Sequence, residues 1–309
     1  MSVIEKQSSK YDVSVVVLTY NASYDKLLDT VKSALSQEGV SLEIVIADDG
    51  CSFKAFDELR EYFKSVGFND YCFVENAFNQ GTVKNFYSGL LKCQGEYVKP
   101  ISPGDMLYGK DTLTKWISFM KENGLKWSFS EYICYNLSNK EIAPISAKAY
   151  PRNLDIFKTG SFDNQRWQYL ALEDICVGAC MIGERDIVKS YCTEIIDKVK
   201  YAEDNIWRIM MFDGVPGSLY PKHAILYEYG GGISTTSDDK WGPLLEKDLA
   251  MANEVIYSRG NCDKFQNRLK WAIKTISGDS KLKKLFIKGF ISQKLLKERK
   301  TVSYLPEDE

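Results

Sequence analysis

The chain has a single histidine, His223, within Pro221-Lys222-His223 ahead of an apolar run. A histidine-centred hydrolase would have to be built on that one residue, and a structural place in a loop suits it as well. There is no C-x-x-C pair. The eight cysteines, at 51, 72, 93, 134, 176, 180, 192 and 262, follow no secreted framework and read as reduced, cytosolic thiols. The N-terminal Met-Ser-Val-Ile-Glu-Lys-Gln-Ser-Ser-Lys lacks the apolar core of a signal peptide, and no run reaches the roughly 18 apolar residues of a spanning helix. The expectation is a cytoplasmic protein, soluble or peripheral on a membrane. Also absent are G-x-x-x-x-G-K-[ST] and a G-x-G-x-x-G after the first strand, since Gly230-Gly231-Gly232 comes far too late. A net charge of -2 argues against a nucleic-acid binder and against an acidic solvating chain.

What is present is enough apolar residue, 44% of the chain, to build a core, in an order that specifies an architecture. Val13 to Leu18 is a β-branched block suited to a strand buried on both faces. Leu27, Leu28, Val31, Ala34 and Leu35 recur at helical spacing, and Leu42 to Ala47 is a second strand. The alternation continues with a helix near Phe53 to Val66, a strand at Tyr71 to Val74, a helix near Thr82 to Leu91 and a strand at Glu96 to Ile101. This predicts an α/β fold with a mostly parallel central sheet and helices on both faces. Ligands of such sheets lie beyond the strands' carboxyl ends, where Tyr20, Asp49 and Asp105 fall in order. Downstream come a helix near Asp111 to Glu122, aromatic-rich strands around Trp127 to Tyr135, and a polar stretch from Asn136 to Gln168 without clear periodicity. The predicted organisation is a flexible 1–10, a parallel α/β half at 11–105, a second half at 106–236 and a C-terminal helical extension at 237–309.

Thr19-Tyr20-Asn21 follows the first strand and Asp48-Asp49-Gly50-Cys51 the second. An aromatic ring and a carboxylate on adjacent strand tips can sandwich a base and accept its imide hydrogen. These segments, with Asn79-Gln80-Gly81, Lys84-Asn85 and Gly95-Glu96-Tyr97-Val98, resemble the family 2 glycosyltransferases in order and spacing, from about Val13 to Thr236. The resemblance implies the GT-A fold, Rossmann-like, and inverting transfer of a sugar, UDP-linked by family frequency, in surface-polysaccharide synthesis. It implies a nucleotide-sugar site of Thr19, Tyr20, Asn21, Asp48, Asp49, Gly81, Lys84 and Gly104, in which Tyr20 stacks on the base and Asp49 reads it. Lys84 stands where the family often has arginine, keeping the charge without the planar fork.

The family also implies an acidic cluster for Mn2+ or Mg2+ at the end of the fourth strand, holding the cation that neutralises the leaving diphosphate. Here the segment reads Ile101-Ser102-Pro103-Gly104-Asp105, so only Asp105 matches as metal ligand, and Pro-Gly-Asp is also an ordinary turn. For the base that deprotonates the acceptor hydroxyl, Tyr201-Ala202-Glu203-Asp204-Asn205 resembles the family's late Glu-Asp motif. It nominates Asp204 as catalytic base and Glu203 as its neighbour, although acids at a helix start also serve the helix dipole. Glu173-Asp174 is a competing pair that comes too early. Tyr227 to Thr235 resembles a loop that closes over the donor, and serves equally as a connector.

From Lys264 to Lys300 twelve Lys/Arg face only Asp279 and Glu298, interleaved with apolar and aromatic residues. A basic amphipathic helix of this kind suits the inner membrane face and a lipid-linked glycan acceptor, and a packed helix with a solvated basic face gives the same pattern. Nucleic acid is not an expected partner, since no recognition fold accompanies the charge. A reading of another class is a degenerate sugar-nucleotide-binding scaffold, favoured by the thinned acidic cluster.

Overall fold

The computed structural model describes residues 9–52, 55–136, 141–142, 151–230, 232–233 and 238–276. β1 (Tyr11–Thr19) and β2 (Leu42–Asp48) are the β-branched runs, buried along nearly their whole length because helices cover both faces. They pair in parallel from Val13 with Leu42 to Thr19 with Asp48, after a crossover through α1 (Tyr24–Leu35). α2 (Phe56–Ser65) leads to β3 (Tyr71–Glu75), and α3 (Thr82–Leu90) to β4 (Gly95–Ile101), which lies parallel to β1 on its other side. The second half adds β5 (Met106–Leu107), α4 (Thr112–Glu122), β6 (Trp127–Asn136), β7 (Glu141–Ile142), α5 (Leu154–Thr159) and α6 (Phe162–Leu170). A 3-10 turn at Gly178–Cys180 then precedes β8 (Met181–Glu184), α7 (Arg185–Ile195), α8 (Asn205–Asp213), β9 (Gly217–Glu228), α9 (Trp241–Tyr257) and α10 (Lys264–Ile276).

One mixed sheet runs through both halves in the order β3-β2-β1-β4-β8-β6-β9-β5, with β7 on β6. β8 is antiparallel to both β4 and β6, and β9 is parallel to β6. It follows that β1, β2, β4, β6 and β9 all end at the same edge, which places Thr19, Asp48, Ile101 and Glu228 together there. The second-half core is aromatic: the rings of Trp127 and Trp207 lie 5.8 Å apart, both fully buried.

The aromatic stretch after Lys126 forms one long strand. The polar stretch read as unpatterned contains α5 and α6, and the reason is visible in α6. Its buried side mixes Gln165, Arg166 and Gln168 with Tyr169 and Leu170, so the apolar residues fall at its end and leave no helical periodicity. The Arg166 guanidinium donates from Nε to the Met211 carbonyl and from Nη2 to that of Phe212, satisfying carbonyls at the end of α8. α10 buries Leu269, Ala272 and Ile273 and keeps Trp271 66% exposed. The remainder of the basic segment, like part of the glycine loop at 231 and 234–237, lies outside the described residues. Among them, no helix is long and apolar enough to cross a membrane.

Candidate active site

The tips of β1 and β2 are tied to each other. The Asp49 N–H donates to the Thr19 carbonyl at 3.0 Å. Asn21, in the left-handed region at φ 50°, donates its N–H to Cys51 Sγ, and its Oδ1 accepts the Ser52 N–H at 3.1 Å. The Asp48 carboxylate accepts the Cys51 N–H, which closes the turn after β2. These contacts hold Tyr20 at the rim, 53% exposed.

Asp49 is buried, its Oδ1 accepting the Gln80 N–H at 2.8 Å and its Oδ2 the Gly81 N–H at 2.9 Å. It therefore fixes the loop between β3 and α3 against the tips of β1 and β2. Phe78, 67% exposed, stands on that loop, and its backbone packs against Gly50, where any Cβ would collide with it. Phe78 is a second aromatic ring near the site that the sequence did not single out, since its sole signal is exposure. Lys84 reaches Asp197 at 3.5 Å in a solvent-facing ion pair.

Gly81 joins this half to the other. Its φ of 95° and the Lys200 backbone lying where a Cβ would stand both require glycine, and Val83 N–H donates to the Lys200 carbonyl at 3.1 Å. Lys200 begins the segment that carries Glu203 and Asp204, with Asp204 at the N-cap position of α8 and its side chain making no capping hydrogen bond. A residue far downstream holds this segment. Asp248 of α9 accepts the N–H groups of Lys200, Tyr201 and Ala202 at 3.0, 2.6 and 3.0 Å. No motif could reveal Asp248, because its partners are backbone groups. Glu203 and Asp204 are half-buried. Burial and the Asp204 charge push the Glu203 carboxyl up, and burial together with the Asp248 charge pushes Asp204 up. The Glu203 carboxylate also lies over Gly178 of the 3-10 turn, whose missing side chain makes room for it. That turn is tied to the sheet by the buried Lys99, which donates from Nζ to the Ala179 carbonyl at 2.5 Å.

Asp105 is buried after β4, and burial pushes its carboxyl up to about 7. Its Oδ1 accepts the Glu228 N–H at 2.9 Å. Among the described residues no group of three His, Cys, Asp or Glu is placed to hold a metal ion. With Ser102 and Gly104 where acids are expected, the residues present do not fit the divalent cation that the sequence pattern implies. The Glu173-Asp174 pair has a structural place: Asp174 accepts the backbone N–H groups of Arg152 and Asn153. His223 lies within β9, its ring 6.2 Å from that of Tyr108.

The sequence model of the family described as Glycosyl transferase family 2 matches residues 14–192. The chain is 32% identical over 120 residues to TuaG of Bacillus subtilis (strain 168), whose name places it in teichuronic acid biosynthesis as a glycosyltransferase; the match covers 39% of this chain and 46% of that protein. It is 24% identical over 206 residues to WfaP of Escherichia coli, a UDP-Glc:alpha-D-GlcNAc-diphosphoundecaprenol beta-1,3-glucosyltransferase, covering 66% and 71% of the two chains. The chain thus spans about half the length of the first of these relatives. Among solved structures, S. aureus TarS 1–349 superposes with a TM-score of 0.61 at 17% identity, covering 92% of this chain and 77% of that one. The mannosyltransferase PcManGT from Pyrobaculum calidifontis, in complex with GDP-Man and Mn2+, gives 0.61 at 13% identity, covering 92% and 83%. At such identities the likeness is one of fold.

Proposed function

The chain belongs to glycosyl transferase family 2, and from that premise we propose that it moves a hexose-type sugar from a UDP-sugar to an acceptor sugar hydroxyl, with inversion at the anomeric carbon. The observation that carries this reading is a juxtaposition. The aromatic and acidic tips of β1 and β2 are joined, through Asp49, Gly81 and Lys200, to a segment bearing two carboxyls with raised pKa values. Tyr20 stacks on the base. Asp204 takes the proton of the acceptor hydroxyl as its oxygen attacks C1 from the face opposite the diphosphate, and the C1–O bond breaks with its electrons passing to the diphosphate. Glu203, whose carboxyl burial and the Asp204 charge push up, is assigned the orienting role beside the base.

Uridine as the base is supported by WfaP, whose name gives UDP-Glc as donor, and by TarS, crystallised with UDP-GlcNAc. Titration calorimetry with UDP, dTDP and GDP is expected to show saturable binding of UDP alone. Tyr20→Ala should weaken it about tenfold, since stacking of a base on an aromatic ring contributes ~1–3 kcal/mol. Failure of all three nucleotides to bind the folded protein, or wild-type affinity in the variant, would count against the site.

The acceptor in this reading is a growing surface glycan on a lipid carrier, as in the name of WfaP. The exposed side of α10 supports a place at the membrane face: Lys264, Arg268, Trp271 and Lys274 are all exposed on it, and the ring suits a lipid interface. Flotation of the full chain with vesicles containing anionic phosphatidylglycerol is expected, and Trp271→Ala combined with Arg268→Glu should reduce it. Equal flotation of both proteins would take the exposed side of α10 out of the account, and none with either would remove the membrane from it.

A further inference from the structure

The turn after β4 is built around an acid that does not belong to it. Gly104 has φ 103°. Its N–H donates to Thr30 Oγ1 at 2.9 Å and to the Lys26 carbonyl at 3.2 Å, and its own carbonyl accepts the Tyr135 hydroxyl. The space a side chain at 104 would need is filled by the Glu228 carboxylate, which a Cβ there would strike. Glu228 comes from the end of β9, 202 residues along the chain from Lys26, whose Nζ donates to Glu228 Oε1 at 2.5 Å. The Lys26 side chain is 33% exposed and that of Glu228 13%. Lys26 lies in the first turn of α1, at the sheet edge where β1 and β4 end.

We propose that Lys26, positioned by Glu228 across Gly104, is the cationic group that meets the donor diphosphate, and that donor binding requires no divalent ion. The proposal rests on the UDP-sugar reading above. Two observations carry it. An acid at 104 would be strained, because the turn holds that position at positive φ, and its Cβ would have to displace the Glu228 carboxylate. The carboxylate that takes that volume also holds the Lys26 ammonium through its Oε1, and the ammonium offers three donors of which Glu228 uses one. The remaining two suit phosphate oxygens, for which lysine acts as a point charge. The charge balance of a cation held by protein carboxylate is kept, with the cation supplied by the chain.

The test compares UDP with uridine, each with EDTA and with Mn2+, in full-length wild type, Lys26→Met and Lys26→Arg. Ligand-observed NMR reads uridine, and calorimetry reads UDP. The expected result is equal UDP affinity with EDTA and with Mn2+, at least a tenfold loss in Lys26→Met, partial recovery in Lys26→Arg, and unchanged uridine binding throughout. Unchanged uridine binding also establishes that the variants fold. UDP binding that needs Mn2+, or is indifferent to Lys26→Met, would overturn the proposal while leaving the donor site in place. Failure of wild type to bind either ligand would instead overturn the UDP-sugar reading, and this proposal with it.

Discussion

Asp204→Asn is expected to lower kcat for sugar transfer by roughly 10³-fold, within the range that general bases contribute, while the Kd for UDP stays within about twofold of wild type. The amide keeps the shape at the N-cap position but cannot take a proton. A loss confined to kcat separates this role from donor binding. The wild-type rate should fall as the pH drops through the Asp204 pKa, because the protonated acid cannot act as base. Burial and the Asp248 charge place that fall above the ordinary carboxylate range. An Asp204→Asn variant that turns over at the wild-type rate would return the base to another residue.

The second large effect belongs to Asp248. Asp248→Ala removes the acceptor of three backbone N–H groups, those of Lys200, Tyr201 and Ala202, at a segment that also braces Gly81. Since a buried donor left without an acceptor costs about 1–3 kcal/mol and these three are only part-buried, a stability loss of about 1–3 kcal/mol in total is expected in urea unfolding. Asp248→Asn keeps an acceptor oxygen and removes the charge. It should cost less stability and move the low-pH fall of the rate toward more acidic pH, because one of the charges raising the Asp204 pKa has gone. An unmoved pH profile in a folded Asp248→Asn protein would show that Asp248 does no more than hold the loop.

The parallel half of the fold was legible because it obeys strong local rules. β1 and β2 are continuous apolar blocks, α1 shows its apolar face at 3.6-residue spacing, and Tyr20, Asp49 and Asp105 follow the ends of strands. The second half was less legible. α6 turns glutamines and an arginine inward, so a search for apolar periodicity passes over it. The devices that hold the site were hidden for a related reason. Asp248 acts on backbone groups, and the Lys26–Glu228 pair joins positions 202 residues apart. Neither carries a local signature. Gly104 looked like a lost acid in the sequence, and its φ of 103° with the Glu228 carboxylate alongside gives the physical reason for glycine.

The most direct test is acceptor-dependent turnover. Purified protein would be incubated with each of a panel of UDP-hexoses and a GlcNAc-diphosphoundecaprenol analogue, with released UDP measured and the anomeric configuration of the product assigned by NMR. The account predicts that one donor gives UDP release only when acceptor is present, with a β-linked product from an α-linked donor and none in Asp204→Asn. UDP bound but never released into product by any donor and acceptor, or a product with retained configuration, would contradict it. The first of these outcomes would make the chain a sugar-nucleotide-binding scaffold.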